Sequence, residues 1–538
     1  MTPTESDSGP IARTVPLGGG PLAAAVAAGT APDRWYVPRP RTIEAWRERA
    51  EATRGAAGGW LESLEPAIEA EGAASARLRR AANGGVLVTT GQQPGLFGGP
   101  MYTWSKALAA LALADALEEA TGIPTAPLFW AATDDADFEE AAVTHLAVTG
   151  GVETLRLAPP PPELAGRPLA ELPLGDVEPL LAALERASGS GAVPDVLRLV
   201  RERYRSDATI GGAYVGLLRG MLAPLGIAVL DSSHARVRDA AFPTLRAALE
   251  RAGDLEAAID RRATELREAG YEPQVGPVPG LTLVFRLDGS KARIRVADAD
   301  RALAESSPGD LAPNVLLRPV VERAILPTVA YVAGPGELAY FAQVGAVAEV
   351  LGRPRPLAVP RWSGMIVEPH IRRLLERREL APEALADPSA PEREAAARAM
   401  PSAARDALAQ LRRDIDRAAV TLSGVTTPSG VGAPPPAVVE GARRALAARV
   451  ERLERRYLAA AKRGEEAALR DLATLRGALR PLGQPQERVL NLLPMIARHG
   501  APLLAAMMAE ARRHAIRLLG GTAGSAPERP ASAPHAAG

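Results

Sequence analysis

The stretch VLVTTGQQPGLFGGPMYTWSK, residues 86–106, decides the fold of this chain. Its apolar, β-branched start, Val86–Thr90, predicts a buried strand that ends abruptly at Gly91. Glycines and prolines follow, and an alanine- and leucine-rich helical pattern then covers Thr103–Ala120. A strand, a glycine-rich turn and a helix N-terminus together can form a binding site for an anionic ligand, because the unpaired backbone N–H groups of the first helical turn point at the ligand. The glycine spacing matches neither the dinucleotide nor the P-loop fingerprint, so an ordinary tight turn is an equally good interpretation at this point.

Predicted strands and helices alternate from there to residue 360. Apolar runs that predict further strands occupy residues 126–133, 141–148, 228–231, 328–333 and 356–360. The segment FRLDGSKARIRV, residues 285–296, alternates around a turn and predicts a hairpin inserted into this pattern. Alternating strands and helices predict an α/β fold with a doubly wound, mainly parallel sheet.

The C-terminal part of the chain has a helical pattern without strands. Apolar residues at spacings of three and four run from Leu408 to Leu422 and again from Leu446 to Tyr457. Two long helices that fold back at the breaker between these runs would form an antiparallel coiled coil. The second helix is expected over residues 437–479, with a slip of the repeat near Gly464.

These patterns divide the chain into five expected segments. They are an irregular N-terminal segment at 1–40, a doubly wound α/β core with connecting insertions at 41–380, a helical coiled-coil domain at 381–480, C-terminal helices packing on the core at 481–519 and a disordered tail at 520–538. The tail is poor in apolar residues, which is typical of disorder.

The composition excludes several kinds of site and partner. Basic and acidic residues balance at 63 each, so no overall field attracts nucleic acid, and no apolar run reaches the ~20 residues of a membrane span. We therefore expect a cytoplasmic protein that binds neither nucleic acid nor membrane. The chain has no cysteine, which excludes disulfides and thiolate nucleophiles, and its six histidines lack metal-ligand spacing. No resident metal site is predicted.

A cluster of carboxylates follows the predicted strand at 126–133. The segment PLFWAATDDADFEEA, residues 127–141, places Asp134, Asp135 and Asp137 just past the carboxyl end of that strand, where open α/β sheets bind ligands. These carboxylates could hold Mg²⁺ or the ammonium of an amine substrate, or one could act as a general base. A solvated turn with one aspartate capping the next helix is the alternative interpretation.

A second strand–glycine–helix segment covers residues 328–343. Gly334 ends the strand, and Glu337 lies in the first turn of the helix, where the helix dipole favours a carboxylate. Tyr340 and Gln343 follow on roughly the same helix face. Capping alone would explain Glu337, and core packing would explain Tyr340.

Further candidates lie at the same predicted edge of the sheet. Arg318 could bind a carboxylate or phosphate through two hydrogen bonds, although an ion pair within the protein is the commoner fate of an arginine. Arg361 could contact an anion or merely close the edge of the sheet. Asp231 and Ser232 end another predicted strand. Lys106 is one of only three lysines among the 63 basic residues, so we expect it to serve where an ammonium is needed.

These segments, in this order and ahead of a coiled coil, resemble the cysteine ligase family of bacillithiol biosynthesis. The matching stretches between Thr90 and Pro494 are TGQQPGLFGGPMYTWSKA, PLFWAATDDADFEE, LLRPVVE, LPTVAYVAGPGELAYFAQ, VPRWS and QPQERVLNLLP. The resemblance implies a Rossmann-like core akin to nucleotidyltransferases and class I synthetases, and a coiled coil that mediates homodimers. In the acidic turn, Ala136 stands where the family usually has a histidine.

The resemblance also implies a reaction, the joining of cysteine to glucosaminyl-malate, with ATP activating a carboxylate and Mg²⁺ as a candidate companion ion. The expected catalytic residues are Lys106, Asp134, Asp135 and Asp137. The expected substrate and nucleotide contacts are Thr90, Gly91, Gln92, Gln93, Gly98, Gly99, Tyr102, Thr103, Asp231, Ser232, Arg318, Gly334, Glu337, Tyr340, Gln343 and Arg361. A nucleotidyltransferase with another substrate and a non-catalytic dimeric component of the pathway are the alternatives.

Overall fold

The computed structural model describes residues 9–189, 191, 193–387, 401–424, 434–462 and 466–520. The chain separates into two compact units. The first unit takes its described residues from 1–146, 154–368 and 487–538, and the second takes them from 147–153 and 369–486. Each unit is treated by itself below.

The secondary-structure elements are numbered here along the chain. The strands are β1 (Ile11–Thr14), β2 (Val86–Gln92), β3 (Thr125–Ala131), β4 (Val143–Val148), β5 (Gly151–Arg156), β6 (Ala228–Asp231), β7 (Leu281–Asp288), β8 (Ser290–Arg295), β9 (Leu311–Pro313), β10 (Thr328–Ala333), β11 (Ala358–Pro360) and β12 (Gly364–Val367). The helices are α1 (Pro21–Ala28), α2 (Ile43–Thr53), α3 (Trp60–Ile68), α4 (Gly72–Ala82), α5 (Met101–Thr121), α6 (Phe138–Ala141), α7 (Glu178–Ser188), α8 (Pro194–Arg203), α9 (Ile210–Leu222), α10 (Ala235–Glu250), α11 (Ala252–Glu268), α12 (Ala299–Glu305), α13 (Arg318–Ile325), α14 (Pro335–Val350), α15 (Pro369–Arg378), α16 (Ser402–Ser423), α17 (Pro436–Lys462), α18 (Glu466–Leu479), α19 (Gln486–Val489) and α20 (Leu493–Leu518).

The first unit is built on a parallel sheet with the strand order β11-β10-β2-β3-β6. The chain runs outwards from β2 through β3 to β6, and then returns to the other side of β2 with β10 and β11. The strand order therefore reverses between β2 and β10, and ligands bind at the carboxyl ends of the strands at such a reversal. This sheet confirms the predicted doubly wound α/β fold.

The strands of this sheet are apolar because other elements cover them. Every residue of β3 and β10 is buried, which means that both faces of these strands are covered. Leu87 and Leu128 pack in one cluster with residues of α3 and α4, while Ala333 packs in another with residues of α14. The long helix α5 is buried along most of its length, and α20 packs against it.

The glycine-rich loop after β2 folds back on itself as a tight hook. A side chain at Gly95 would meet the Cα of Gly99 at 2.7 Å, and both Gly98 and Gly99 have positive φ, at 84° and 74°. Asn491 closes the hook from outside, because its Nδ2 donates to the carbonyls of Leu96, Phe97 and Gly99 at 3.2, 2.9 and 3.3 Å. Several loop glycines therefore serve the turn itself.

The N-terminal segment contains two short elements that the sequence analysis did not predict. Strand β1 pairs antiparallel with β12, with Ile11 opposite Val367, and helix α1 follows it. Both elements are short and lie among prolines and glycines, and the pairing partner of β1 is about 350 residues away. Local sequence patterns do not carry such a long-range pairing, which is why β1 was missed.

The second unit contains the predicted helical hairpin. Helices α16 and α17 run antiparallel, with Leu408 and Val450 buried between them and Arg443 paired with Asp416 at 3.1 Å. The family-typical coiled coil is thus present. The predicted slip near Gly464 falls on residues 463–465, and most of the predicted tail falls on 521–538; both lie outside the described residues.

Across the described residues, no helix has the length and apolar character needed to cross a membrane.

We expect Asn491→Ala to destabilise the first unit, because it removes the side-chain donor to the buried carbonyls of Phe97 and Gly99, while the Leu96 carbonyl keeps the Gly99 N–H at 3.2 Å. The free energy of unfolding should fall by about 2–3 kcal/mol, measured by urea denaturation. Asn83→Ala is the matched control: Asn83 is exposed at the end of α4 and should change stability by less than about 0.5 kcal/mol. Equal losses in the two variants would contradict the proposed role of Asn491.

Candidate active site

A cavity of about 730 Å³ lies where β2, β3 and β10 end. It has the size of a small-molecule site, and it occupies the point where the strand order reverses. Among the predicted residues, those that line it are Gly91, Gln92, Gln93, Tyr102, Lys106, Asp134, Asp135, Arg318, Gly334, Glu337, Tyr340 and Arg361. The structure thus brings together the glycine loop, the acidic turn and the second strand–glycine–helix segment.

A buried ion pair joins the two strand–glycine–helix segments. The Nζ of Lys106 lies 2.6 Å from Oε2 of Glu337, and it also donates to the carbonyl of Gly91 at 2.7 Å and to Oε1 of Gln92 at 3.0 Å. The Lys106 side chain is 4% exposed, so its charge is almost entirely out of water. Three acceptors match the three ammonium hydrogens. A phosphate contact would require Lys106 to release one of them.

Glu337 is anchored on its own side by β10 and α14. The backbone N–H of Gly334 donates to Oε2 at 2.6 Å, and the Tyr331 hydroxyl donates to Oε1 at 2.6 Å. Burial raises the pKa of Glu337. Lys106 and these two donors outweigh burial and hold this pKa below its usual range. Glu337 is therefore the charged partner of Lys106 at neutral pH.

Arg318 links this pair to a second buried carboxylate. Its guanidinium contacts the Tyr331 hydroxyl and Oε2 of Glu322, each at 3.1 Å, and Glu322 also accepts from the Thr89 hydroxyl. Burial raises the pKa of Glu322 to about 7, even though Arg318 and Thr89 act against the rise. Arg318 is thus committed to the protein on one side and faces the cavity on the other.

Asp134 is held in place by residues from two other elements. The Nζ of Lys291, on β8, donates to the Asp134 carbonyl at 2.7 Å and lies 3.4 Å from its carboxylate, and Ser232 donates to the same carboxylate. Burial raises the pKa of Asp134, but Lys291 and Ser232 outweigh it and leave the pKa below its usual range. The Asp134 carboxylate is therefore charged where it lines the cavity.

The rest of the acidic turn divides into capping and cavity residues. Asp135 accepts from the N–H of Ala136 at 2.7 Å, and Asp137 caps α6 by accepting from the N–H of Glu140 at 3.0 Å. The Glu140 carboxylate lines the cavity and accepts from Gln93 Nε2 at 2.5 Å. Burial, together with Asp137 and Asp135, raises the pKa of Glu140.

Arg361 closes one end of the cavity while paired to Glu487. Its two terminal nitrogens donate to the two oxygens of Glu487 at 2.7 and 2.6 Å, and Ser363 donates to the same carboxylate at 2.7 Å. Both charged side chains are 3% exposed. This bidentate pair commits Arg361 to a carboxylate of the protein.

The remaining predicted residues lie outside the cavity wall: Thr90, Gly98, Gly99, Thr103, Asp137, Asp231, Ser232 and Gln343. Their contacts explain this placement. Thr90 donates to the Val332 carbonyl on the neighbouring strand, and Gln343 bonds both backbone groups of Val275. Gly98 and Gly99 form the hook, which turns away from the sheet edge, and Thr103 is buried one turn beyond it. Asp231 accepts from the Thr133 hydroxyl.

Several cavity residues were not predicted, and these include Trp130, Glu140, Phe285, Lys291, Arg293 and Arg488. Lys291 carried a usable signal, because it is one of three lysines in the chain. Arg488 lies in the stretch QPQERVLNLLP, which the resemblance covers. The hairpin β7–β8 reaches the cavity only through tertiary packing, which the local sequence pattern does not reveal.

Comparison with known proteins agrees with this architecture. Residues 33–362 match the family model described as "Bacillithiol biosynthesis BshC, N-terminal Rossmann-like domain", and residues 364–517 match "Bacillithiol biosynthesis BshC, C-terminal coiled-coil domain". The chain belongs to the BshC family of bacillithiol biosynthesis. The predicted family is thereby confirmed.

Individual BshC proteins resemble this chain over most of their length, and each bears the name "Putative cysteine ligase BshC". The one from Solibacter usitatus is 32% identical over 483 residues, which cover 82% of this chain and 85% of the relative. The one from Koribacter versatilis is 31% identical over 479 residues, with 84% and 87% covered. The one from Salinibacter ruber is 30% identical over 457 residues, with 80% and 81% covered.

No group of three or more histidine, aspartate and glutamate side chains in the described part of this BshC chain is arranged to hold a metal ion.

Because Glu322 keeps its proton to about pH 7 in the folded chain, its titration should affect stability. Between pH 4.5 and 7 the unfolded chain has released this proton while the folded chain holds it, so the free energy of unfolding falls as pH rises. The Glu322→Gln variant has no proton to release at this position, so its free energy of unfolding lacks this dependence on pH. The stability of wild type relative to Glu322→Gln should fall by on the order of 2–3 kcal/mol from pH 4.5 to 8.

Urea denaturation at several pH values measures this difference. Glu65→Gln, an exposed carboxylate on α3, is the control and should show no comparable trend. A constant difference between wild type and Glu322→Gln across the pH range would contradict the assignment.

Proposed function

We propose that this chain joins cysteine to glucosaminyl-malate, with ATP activating the cysteine carboxylate and the sugar amine displacing the activating group. The observation that carries the proposal is a single cavity with unpaired charges of both signs. Asp135 and Glu140 lie on the acidic turn, while Arg293 and Arg488 make no ion pair with any described residue. Such a cavity suits one substrate with an amine and others with carboxylate or phosphate groups. Membership of the BshC family supports the same reaction.

Amide formation requires an activated acyl group and an uncharged amine. The cysteine carboxylate oxygen would attack a phosphorus atom of ATP, releasing pyrophosphate if an adenylate forms and ADP if an acyl phosphate forms. The amine nitrogen then bonds to the acyl carbon, the phosphate-bearing group leaves, and the nitrogen loses a proton. Glu140 would accept that proton, since its raised pKa makes it a stronger base than an ordinary glutamate.

The cations of the cavity would divide the anionic groups among them. Arg293 and Arg488 would bind the malate carboxylates or the ATP phosphates, because neither is committed to a carboxylate of the protein. Lys106 and Arg318 would add positive charge near the developing phosphorane from fixed positions. Mg²⁺ would enter with the phosphates of ATP, with the acidic turn as its nearest protein ligands.

Purified protein incubated with ATP, cysteine and glucosaminyl-malate should form bacillithiol, detected by mass spectrometry. AMP as the co-product would identify an adenylate, and ADP would identify an acyl phosphate. Absence of both product and nucleotide turnover would contradict the ligase assignment and favour a non-catalytic component. Nucleotide turnover with another acceptor alone would favour a different nucleotidyltransferase-like enzyme.

Glu140→Gln should lower kcat by about 10²-fold or more, because it removes the proposed base. The wild-type rate should also fall as pH drops below the raised pKa of Glu140, and this limb should vanish in the variant. Glu139→Gln is a matched control, because Glu139 is the exposed neighbour that pairs with Arg156 at 2.7 Å. Equal effects of the two substitutions would contradict the role of Glu140.

We also propose that a second copy of the chain covers the coiled-coil hairpin. Leu446, Leu453 and Tyr457 form a stripe along α17 and are 46%, 43% and 46% exposed. Spacings of three, four and seven from Val450 place them on the helix face that packs against α16, and a second copy would cover the part of each side chain that α16 leaves exposed.

Leu446→Glu combined with Leu453→Glu should convert the dimer to a monomer, measured by light scattering after size-exclusion chromatography. Ala448→Glu, an exposed residue on a different side of α17, should leave the dimer intact. A wild-type monomer, or a dimer that survives the double substitution, would contradict this interface.

A further inference from the structure

A second cavity, of about 260 Å³, lies in the first unit and shares Arg361 with the candidate active site. We call it the rear pocket. Its walls come from the segment after β1, from Arg39 and from the end of α20, where His514 and Arg517 lie. Val15 and Leu17 supply apolar surface, and the mechanism proposed above assigns no role to any of the residues that line this pocket.

The charge of the rear pocket is positive and is not neutralised by the described residues. The side chains of Arg39 and Arg517 make no ion pair or hydrogen bond with any described residue, whereas Arg361 is fully paired with Glu487. The nearest carboxylate on α20 is that of Glu510, which accepts from the Thr14 hydroxyl at 2.7 Å and is paired with Arg513. Two guanidinium groups therefore face a small cavity without a counter-ion.

His514 reports the same positive environment. Its Nε2 lies 2.8 Å from the Pro360 carbonyl, so this nitrogen carries the hydrogen and Nδ1 of the neutral ring is a hydrogen-bond acceptor. Burial lowers the pKa of His514, and although the Pro360 hydrogen bond opposes this, Arg517, Arg39 and Arg361 lower it further. The guanidinium groups of the rear pocket thus disfavour a further positive charge on this ring.

We propose that the rear pocket binds a compact dianion, either inorganic phosphate or a small dicarboxylate, between Arg39 and Arg517. Guanidinium groups recognise both kinds of oxyanion through paired N–H donors, and the pocket volume suits a ligand of only a few heavy atoms. This site is separate from the active site and does not depend on the proposed ligase activity.

Isothermal titration of the full chain with inorganic phosphate, and separately with succinate, tests the proposal at constant ionic strength. Binding should weaken about tenfold or more in Arg39→Ala/Arg517→Ala, because each arginine supplies charge-assisted hydrogen bonds. Arg512→Ala is the matched control: Arg512 lies on the same helix but pairs with Glu119 at 2.6 Å, and its affinity should be unchanged. The tighter of the two ligands identifies the source of the dianion.

The double variant Arg293→Ala/Arg488→Ala tests whether the anion binds in the active-site cavity instead. It should leave the binding that depends on Arg39 and Arg517 intact. If the double variant Arg39→Ala/Arg517→Ala fails to fold, the single variant Arg517→Ala is titrated instead. Arg517 is exposed, so its replacement is expected to leave the fold intact. Phosphate or succinate should also raise Tm in wild type more than in Arg517→Ala. The proposal would be overturned if neither anion bound in a way that depends on Arg39 and Arg517, or if Arg293 and Arg488 carried the binding.

Discussion

The buried ion pair between Lys106 and Glu337 is the interaction on which the site depends. It connects the helix that follows β2 to the helix that follows β10, the two strands between which the strand order reverses. Burying two charges costs free energy, which is repaid only when further hydrogen bonds satisfy both groups. Here Gly91, Gln92, Tyr331 and the Gly334 N–H supply them. A compact ammonium fits three diverging acceptors, which explains a lysine in a chain that otherwise uses arginine.

This arrangement separates the charges of the cavity into two kinds. Lys106, Arg318 and Arg361 are held by carboxylates of the protein and set the shape and field of the site. Arg293 and Arg488 make no ion pair with any residue that the structure describes, and the proposal assigns them to the substrates. The proposed chemistry therefore assigns fixed charges to stabilising the transition state and free charges to binding.

The sheet could be predicted because each buried strand is a local apolar run, and three of its ends carry the glycine loop, the acidic turn and Gly334. Those ends identified the cavity region. What could not be predicted depends on distant partners. Asn491 closes the glycine hook from almost 400 residues away, and the lysine at 291 reaches Asp134 through a hairpin whose docking leaves no local pattern. The long-range pairing of β1 was missed for the same reason.

A double-mutant cycle in the free energy of unfolding tests the central role of the ion pair most directly. The four proteins are wild type, Lys106→Met, Glu337→Gln and the double variant, measured by urea denaturation. Removing one partner leaves the other buried charge unpaired. The account therefore predicts a coupling energy between Lys106 and Glu337 of about 2 kcal/mol or more. The pair of Arg80 and Glu118, exposed by 55% and 26%, is the reference and should couple by less than about 1 kcal/mol. Additive effects at Lys106 and Glu337, with coupling no larger than that of the exposed pair, would contradict the account.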